Sequence, residues 1–342
     1  MGRRNFYIFS VLRNKFIILF FVFFGLIFTS LLFFGEIYTD NYYKSKSLNN
    51  DIYLRYSDIE PQIKMFNLEN RKIDAIVIGS SRVLSFNKEL FPDNNFYNLG
   101  RTIYSVNDLD FILKKINLKE LKSLYIGLDP YFFNKNFLQT YSTVHNFDDQ
   151  KLLSRISFSS KQLLIDLLKF NFSEFTFKDK KIGLNYYLGK GGIDSDGSRI
   201  YINNNLKNFS DTDYWIKNFG DKFEKFEFKN IDNGSLELLT KILNNLSEVN
   251  NLKVKIFLPP ISPSSIQYFI ANRKSDLNLT IGDTLSQIIN EKYENIEFID
   301  LTNVSTNLKD DKYYSDAIHF SNEYAKHLFE IINLKKWNLS SS

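Results

Sequence analysis

Asp74-Ala75-Ile76-Val77-Ile78-Gly79-Ser80-Ser81-Arg82 is the stretch on which the fold turns. The four apolar residues Ala75 to Ile78 are too few for a helix, and their β-branched bias fits a strand buried on both faces. Gly79 ends that strand. Open α/β sheets carry their reactive groups at the carboxyl ends of such strands, so the Gly-Ser-Ser turn makes Ser81 the candidate nucleophile. On local sequence alone, a turn whose serines cap the following helix is the alternative.

Outward from this strand the pattern repeats. Short apolar runs predict further strands at Asn95 to Leu99, Leu124 to Leu128, Val254 to Leu258 and Ile296 to Asp300. Helices are predicted within 58–70 and at Asp108 to Leu121, where Leu109, Ile112, Leu113 and Ile116 have helical spacing. Three more are predicted, at Ser235 to Val249, around Leu277 to Lys292, and at Ser321 to Leu334. Alternation of strand and helix argues for a parallel sheet covered on both sides. Pro259-Pro260-Ile261-Ser262-Pro263 ends the fourth strand sharply.

The rhythm breaks from Tyr131 to about Asn233, far longer than an ordinary βα connection. This stretch reads as an insertion, about 131–233, forming a lid or a partner surface, with a predicted helix at Lys161 to Phe170 and a Gly-rich run from Gly183 to Gly197. Within that run, Asp194-Ser195-Asp196-Gly197 lacks the third ligand position and distal Glu of a calcium loop. It is expected to be a solvated turn.

Residues Phe16 to Phe34 are 19 consecutive uncharged positions with eight Phe among them, close to the ~20 residues a helix needs to cross a bilayer. Arg3, Arg4, Arg13 and Lys15 precede this run and Glu36 and Asp40 follow it, which predicts an amino terminus inside and the rest outside. A cleavable signal peptide is the alternative, with a usually shorter apolar region and a small-residue cleavage site that is not found here. The expected organisation is a cytoplasmic segment 1–15, a transmembrane helix 16–35, a tether 36–58 and an extracytoplasmic domain 59–342.

The net charge of +4 is small for 342 residues and the basic residues are scattered, so nothing argues for nucleic acid. The absence of cysteine excludes thiol catalysis, cysteine zinc sites and disulfides. No cofactor and no metal site is expected.

Of the three histidines, His327 lies on the last predicted helix among Lys and Glu, as a surface residue. His145 sits in the insertion beside Asp148 and Asp149. His319 remains as the general base. Asp316, three residues earlier, can accept the Nδ1 proton and leave Nε2 to take one from a serine.

Together these residues resemble the SGNH (GDSL-type) hydrolase superfamily. Gly79-Ser80-Ser81-Arg82 looks like its first block, Asn98-Leu99-Gly100 like its second and Asp316-Ala317-Ile318-His319 like its last. The resemblance implies an α/β, three-layer αβα sandwich on a mostly parallel five-stranded sheet (SGNH or flavodoxin-like), preceded by one transmembrane helix and carrying the large insertion. It implies a catalytic set of Ser81, Asp316 and His319, with the Ser81 and Gly100 amides in the oxyanion hole. The third block departs from the family: Gly127-Leu128-Asp129-Pro130 has Asp where an Asn side chain usually donates, and a carboxylate cannot donate. Asp129 either points away, stays protonated, or leaves the role to another group such as Asn134. It can also simply shape the turn before Pro130.

The Ser-Ser block, the anchor and the altered third block look like a membrane-anchored branch that includes the teichoic-acid D-alanyl-transfer protein and the alginate O-acetylation proteins. That likeness implies O-acylation, foremost O-acetylation, of a cell-envelope or exported polysaccharide through an acyl-serine. It implies a single-pass protein of the bacterial cytoplasmic membrane, a glycan acceptor and a multi-spanning membrane-bound O-acyltransferase as partner. The alternatives are an esterase acting on glycan or lipid esters, and a non-catalytic partner of such an acyltransferase.

Overall fold

The computed structural model describes residues 15–27, 29, 64, 65, 68, 71–92, 94–135, 192–194, 196–200, 231–271, 276–290, 292–302, 313, 314 and 318–334. The tether 36–58, most of the helix within 58–70, the helix at 161–170, His145 and Asp316 lie outside them. The chain divides into two units, 1–47 with 148–176 and 48–147 with 177–342. Of the first, the described part is a helical run at 15–27 and Thr29 whose apolar side chains are exposed, Phe16 to 72% and Phe21 to 69%. Among the described residues no helix is long and apolar enough to cross a membrane. The rest of the expected span, 30–35 and position 28, lies outside them.

The second unit is built on five strands: β1 (Ala75–Gly79), β2 (Phe96–Gly100), β3 (Ser123–Gly127), β6 (Lys253–Leu258) and β7 (Ile296–Asp300). They form one sheet in the order β2-β1-β3-β6-β7, every pairing parallel. The chain moves outward from β1 to β2, crosses back to β3 and continues the other way. That reversal opens a crevice between β1 and β3, where doubly wound sheets bind ligands.

Side chains alternate between two cores, as the pleat requires. Ile76, Ile78, Leu124, Ile126, Val254 and Ile256 face one, with helices α1 (Val106–Lys115), α2 (Asn233–Ser247) and α4 (Asp276–Ile289). Ala75, Val77, Tyr125 and Phe257 face the other, under helix α5 (Asn322–Asn333) through Tyr324, Ala325, Leu328 and Ile332. The fold is α/β with helices on both faces of a parallel sheet.

Caps fix where the helices begin. Ser105 accepts from the Asp108 amide, and Asp108 reaches back to the Tyr104 amide, a reciprocal arrangement that starts α1 two residues before the apolar spacing alone predicts. α1 also ends early, at Lys115 rather than Leu121: Ile116 is extended, and Leu118–Glu120 forms a separate 3-10 turn. After the prolines an unpredicted helix, α3 (Pro263–Ala271), begins with Pro at its first position, where its missing N–H costs nothing.

The turn at 194–197 is not solvated. Strands β4 (Gly192–Ile193) and β5 (Arg199–Ile200) form a small hairpin whose Asp196, Gly197 and Ser198 are buried. The Asn98 amide of β2 donates to the Asp196 carbonyl (2.7 Å), and the Arg199 amide to the Leu84 carbonyl (2.7 Å). An edge strand presents unpaired N–H groups, and the hairpin covers them, so β2 is buried throughout. Gly197, at φ +81°, has room for no side chain, since a Cβ would stand 2.3 Å from the Asn98 carbonyl oxygen. Burial pushes the Asp196 carboxyl above its ordinary range, against the Ser198 and Lys88 donors that hold it. Most of the insertion lies outside the described residues, but its ends meet: the Asp232 amide donates to the Phe133 carbonyl (2.7 Å).

β1, β2 and β3 all end in glycine, and Val83 sits over all three. A Cβ at Gly79 would lie 2.7 Å, at Gly127 2.5 Å and at Gly100 3.1 Å from its methyl carbons. Val83 is β-branched and has little freedom to rotate away. Gly127→Ala is therefore expected to cost about 1–3 kcal/mol in urea denaturation, and Gly127→Ala with Val83→Ala to cost less than the sum of the single changes. Strictly additive costs would show that the seat is not tight.

Candidate functional site

The chain leaves β1 into a 3-10 turn, Ser81–Val83, with Ser80 at its amino end accepting from the Arg82 amide (3.2 Å). Ser81 is the partly exposed residue of this turn; Ser80, Arg82 and Val83 are buried. Its Oγ stands 2.7 Å from His319 Nε2. That is hydrogen-bond distance for transfer of the hydroxyl proton to the imidazole, and it joins the ends of the domain across the carboxyl edge of the sheet.

His319 is placed by its neighbours. Phe320 pairs with Tyr314 as an isolated antiparallel bridge, and the Ser321 amide donates to the Tyr313 carbonyl (2.8 Å). The fully buried Phe320 ring packs edge-on to Phe86, centroids 6.0 Å apart. Ser85 Oγ, four residues after Ser81, donates to the Phe320 carbonyl (2.6 Å). One short segment thus carries Ser81 and also holds the histidine loop. Asp316 lies outside the described residues. His327 is half-buried on α5 with Nδ1 3.7 Å from Glu330, in keeping with a surface role.

Asn98-Leu99-Gly100 is tied into the structure beneath the turn. Gly100 lies beside Gly79 at the sheet edge, but its amide donates to Asn98 Oδ1 (2.6 Å) and its carbonyl accepts from the buried Lys64 (2.8 Å). Asn98 Nδ2 donates to the Val83 and Phe86 carbonyls (2.8 and 2.7 Å), pinning the turn from beneath. In this resting arrangement an oxyanion would have to displace Asn98 Oδ1 to use the Gly100 amide. Arg101, next along, adopts φ +69°, a strained value of the kind that gathers at functional sites.

Asp129, in Gly127-Leu128-Asp129-Pro130, is turned inward. Asp129 is fully buried and sits at the amino end of the 3-10 turn Pro130–Phe133 without capping it. One carboxylate oxygen pairs with Arg82 Nη1, and the other accepts from the Tyr131 hydroxyl (2.7 Å). Arg82 Nη2 donates to the Pro259 and Pro260 carbonyls. Burial, reinforced by the Asp129 charge, drives the Tyr131 hydroxyl well above its ordinary pKa, so it remains a donor. The Asp129 side chain is thus engaged at both oxygens in internal contacts. Asn134, buried, closes this turn by donating its amide to the Tyr131 carbonyl (3.2 Å). Among the described residues no group of three or more His, Cys, Asp or Glu could hold a metal ion.

Sequence reasoning missed Ser85, Tyr131 and the use of Arg82. Only Arg82 had a local signal, as a cation beside the candidate nucleophile in a strand-end turn that the sheet buries. Fold and site together define an α/β protein with a serine and histidine couple at the carboxyl edge of a parallel sheet. No protein-family model matches the chain, and a search of curated proteins gave no match.

Ser85→Ala leaves the buried Phe320 carbonyl without its donor. It is expected to cost about 1–3 kcal/mol in thermal unfolding and to slow the reaction of Ser81 with a fluorophosphonate. Labelling at the parent rate would show that His319 is held without Ser85.

Proposed function

We propose that this protein is a serine-dependent O-acyltransferase of SGNH type, anchored in the membrane by its amino-terminal helix, that acylates a cell-envelope or exported polysaccharide. The observation that carries the reading is the 2.7 Å contact of Ser81 Oγ with His319 Nε2. In the proposed mechanism His319, oriented by Asp316, takes the Ser81 proton as the hydroxyl attacks an acyl donor. Backbone amides stabilise the tetrahedral oxyanion, at ~3 kcal/mol per donor, and the Gly100 amide joins them by leaving Asn98. Collapse of this intermediate breaks the bond to the donor's leaving group, which departs with the proton from His319. A glycan hydroxyl then attacks the acyl-serine with His319 again as base, and Ser81 leaves with that proton as the acylated glycan is released. Acetyl is the first acyl group to test, and a multi-spanning O-acyltransferase the partner that would supply it. The exposed apolar helical run at 15–27 supports a membrane anchor.

A second reading, a non-catalytic partner of such an acyltransferase, is favoured by the engagement of both the Gly100 amide and Asp129 in internal contacts. Ser81→Ala in cells separates the two. The proposed mechanism predicts loss of polymer acylation by more than about a hundredfold at unchanged protein level. Unchanged acylation eliminates the acyl-serine and leaves the partner reading. Rapid turnover of small acetyl esters in water by the purified protein would instead move the reading to an esterase.

A further inference from the structure

Arg82 follows Ser81 directly in the chain, yet it and its partner Asp129 are both withdrawn from solvent, at 3% and 0% exposure. The contacts of the pair run through the strand ends on one side of β1. Arg82 reaches from the β1 turn to Asp129 after β3 and to the Pro259 and Pro260 carbonyls after β6. Asp129 passes the connection to Tyr131, whose hydroxyl also meets the Ser80 side chain. Ser80, Tyr131, Asp129 and Arg82 therefore close a ring that grips the residues on either side of Ser81.

Such a ring is a poor device for stability alone. A buried ion pair repays its desolvation only with good geometry, and apolar residues of similar volume often serve as well or better. Here Arg82 Nε is also buried without a hydrogen-bond partner among the described residues, an uncompensated cost. What a planar fork gives that an apolar side chain cannot is direction. It fixes the Arg82 backbone, and with it the Ser81 Cα–Cβ bond, relative to two other strands. The carboxylate at 129 is then needed as the counter-charge to that fork.

We infer that Arg82 and Asp129 are positioning residues for Ser81, an internal clamp that aims the hydroxyl at His319. The inference rests on the acyl-serine reading above. It is tested with the full-length protein in detergent, measuring the maximal rate and the apparent affinity of Ser81 labelling by a fluorophosphonate beside the thermal midpoint. Each charge-removing single change strands a buried charge, so the informative variants are Arg82→Met with Asp129→Asn, which removes both charges at similar volume, and Arg82→Lys. Lysine keeps the charge opposite Asp129 but cannot reach both proline carbonyls as a fork.

The expected result for both is a maximal labelling rate lowered at least about tenfold, with apparent probe affinity within about twofold and, for the double variant, a thermal midpoint near the parent's. Parent-like labelling rates in either variant that folds overturn the clamp, and so does a loss confined to affinity. If the double variant does not fold, Arg82→Lys decides. If the parent protein is not labelled at Ser81 at all, the acyl-serine reading fails by itself. The clamp is then judged from crystal structures of the parent and Arg82→Lys: a Ser81 to His319 contact unchanged in the variant overturns it, and a displaced hydroxyl supports it.

Discussion

The site depends on a steric constraint before it depends on any charge. Three neighbouring strands end in glycine, and the Val83 side chain occupies the space their missing side chains leave. Interiors packed to crystal-like density yield little to such a contact, so the turn after β1 has one place to lie. Asn98 then fastens it through the Val83 and Phe86 carbonyls. Because Ser85 on the same segment holds the Phe320 carbonyl, Ser81 and the histidine loop are positioned from one segment. In the proposed mechanism this shared mounting of the hydroxyl and the imidazole lowers the ordering cost of bringing distant segments together.

Polar groups beneath this mounting are arranged for direction at some expense of stability. Gly100 is tied at both its amide and its carbonyl, and Asp129 is tied at both oxygens. Buried polar groups partnered in this way rigidify what they hold, since departure exposes a desolvated group. The same property sets a condition on the proposed mechanism, in which the oxyanion would find the Gly100 amide already in use. A donor released only as negative charge builds up would favour the transition state over the ground state.

Much of the scaffold was legible because parallel strands buried on both faces read as short apolar runs, and Ile296 to Asp300 matches its strand end to end. That Ser81 and His319 would meet was legible for a different reason, scarcity: one strand-end serine turn and few histidines left little to choose from. What stayed hidden was long-range. Nothing near Asp196 announces that a polar turn will be buried as cover for β2, and nothing near Asp129 announces a guanidinium from a residue 47 positions earlier. Glycines 79, 100 and 127 each read as a strand terminator, and their common purpose appears only when register sets them side by side. The start of α1 was misjudged because a cap depends on side-chain reach, whereas the apolar spacing registers only from Leu109.

The hydrogen bond between Asp232 and Phe133 gives the long excursion between them the character of a side branch. The entropy of closing a loop grows only with the logarithm of its length, about 0.6 kcal/mol per doubling, so a lineage could lengthen, trim or exchange most of that branch while the trunk kept its registration. One twig is not free to change: the bend at Gly197 has grafted back onto the trunk, and altering it would lay bare the margin of the sheet.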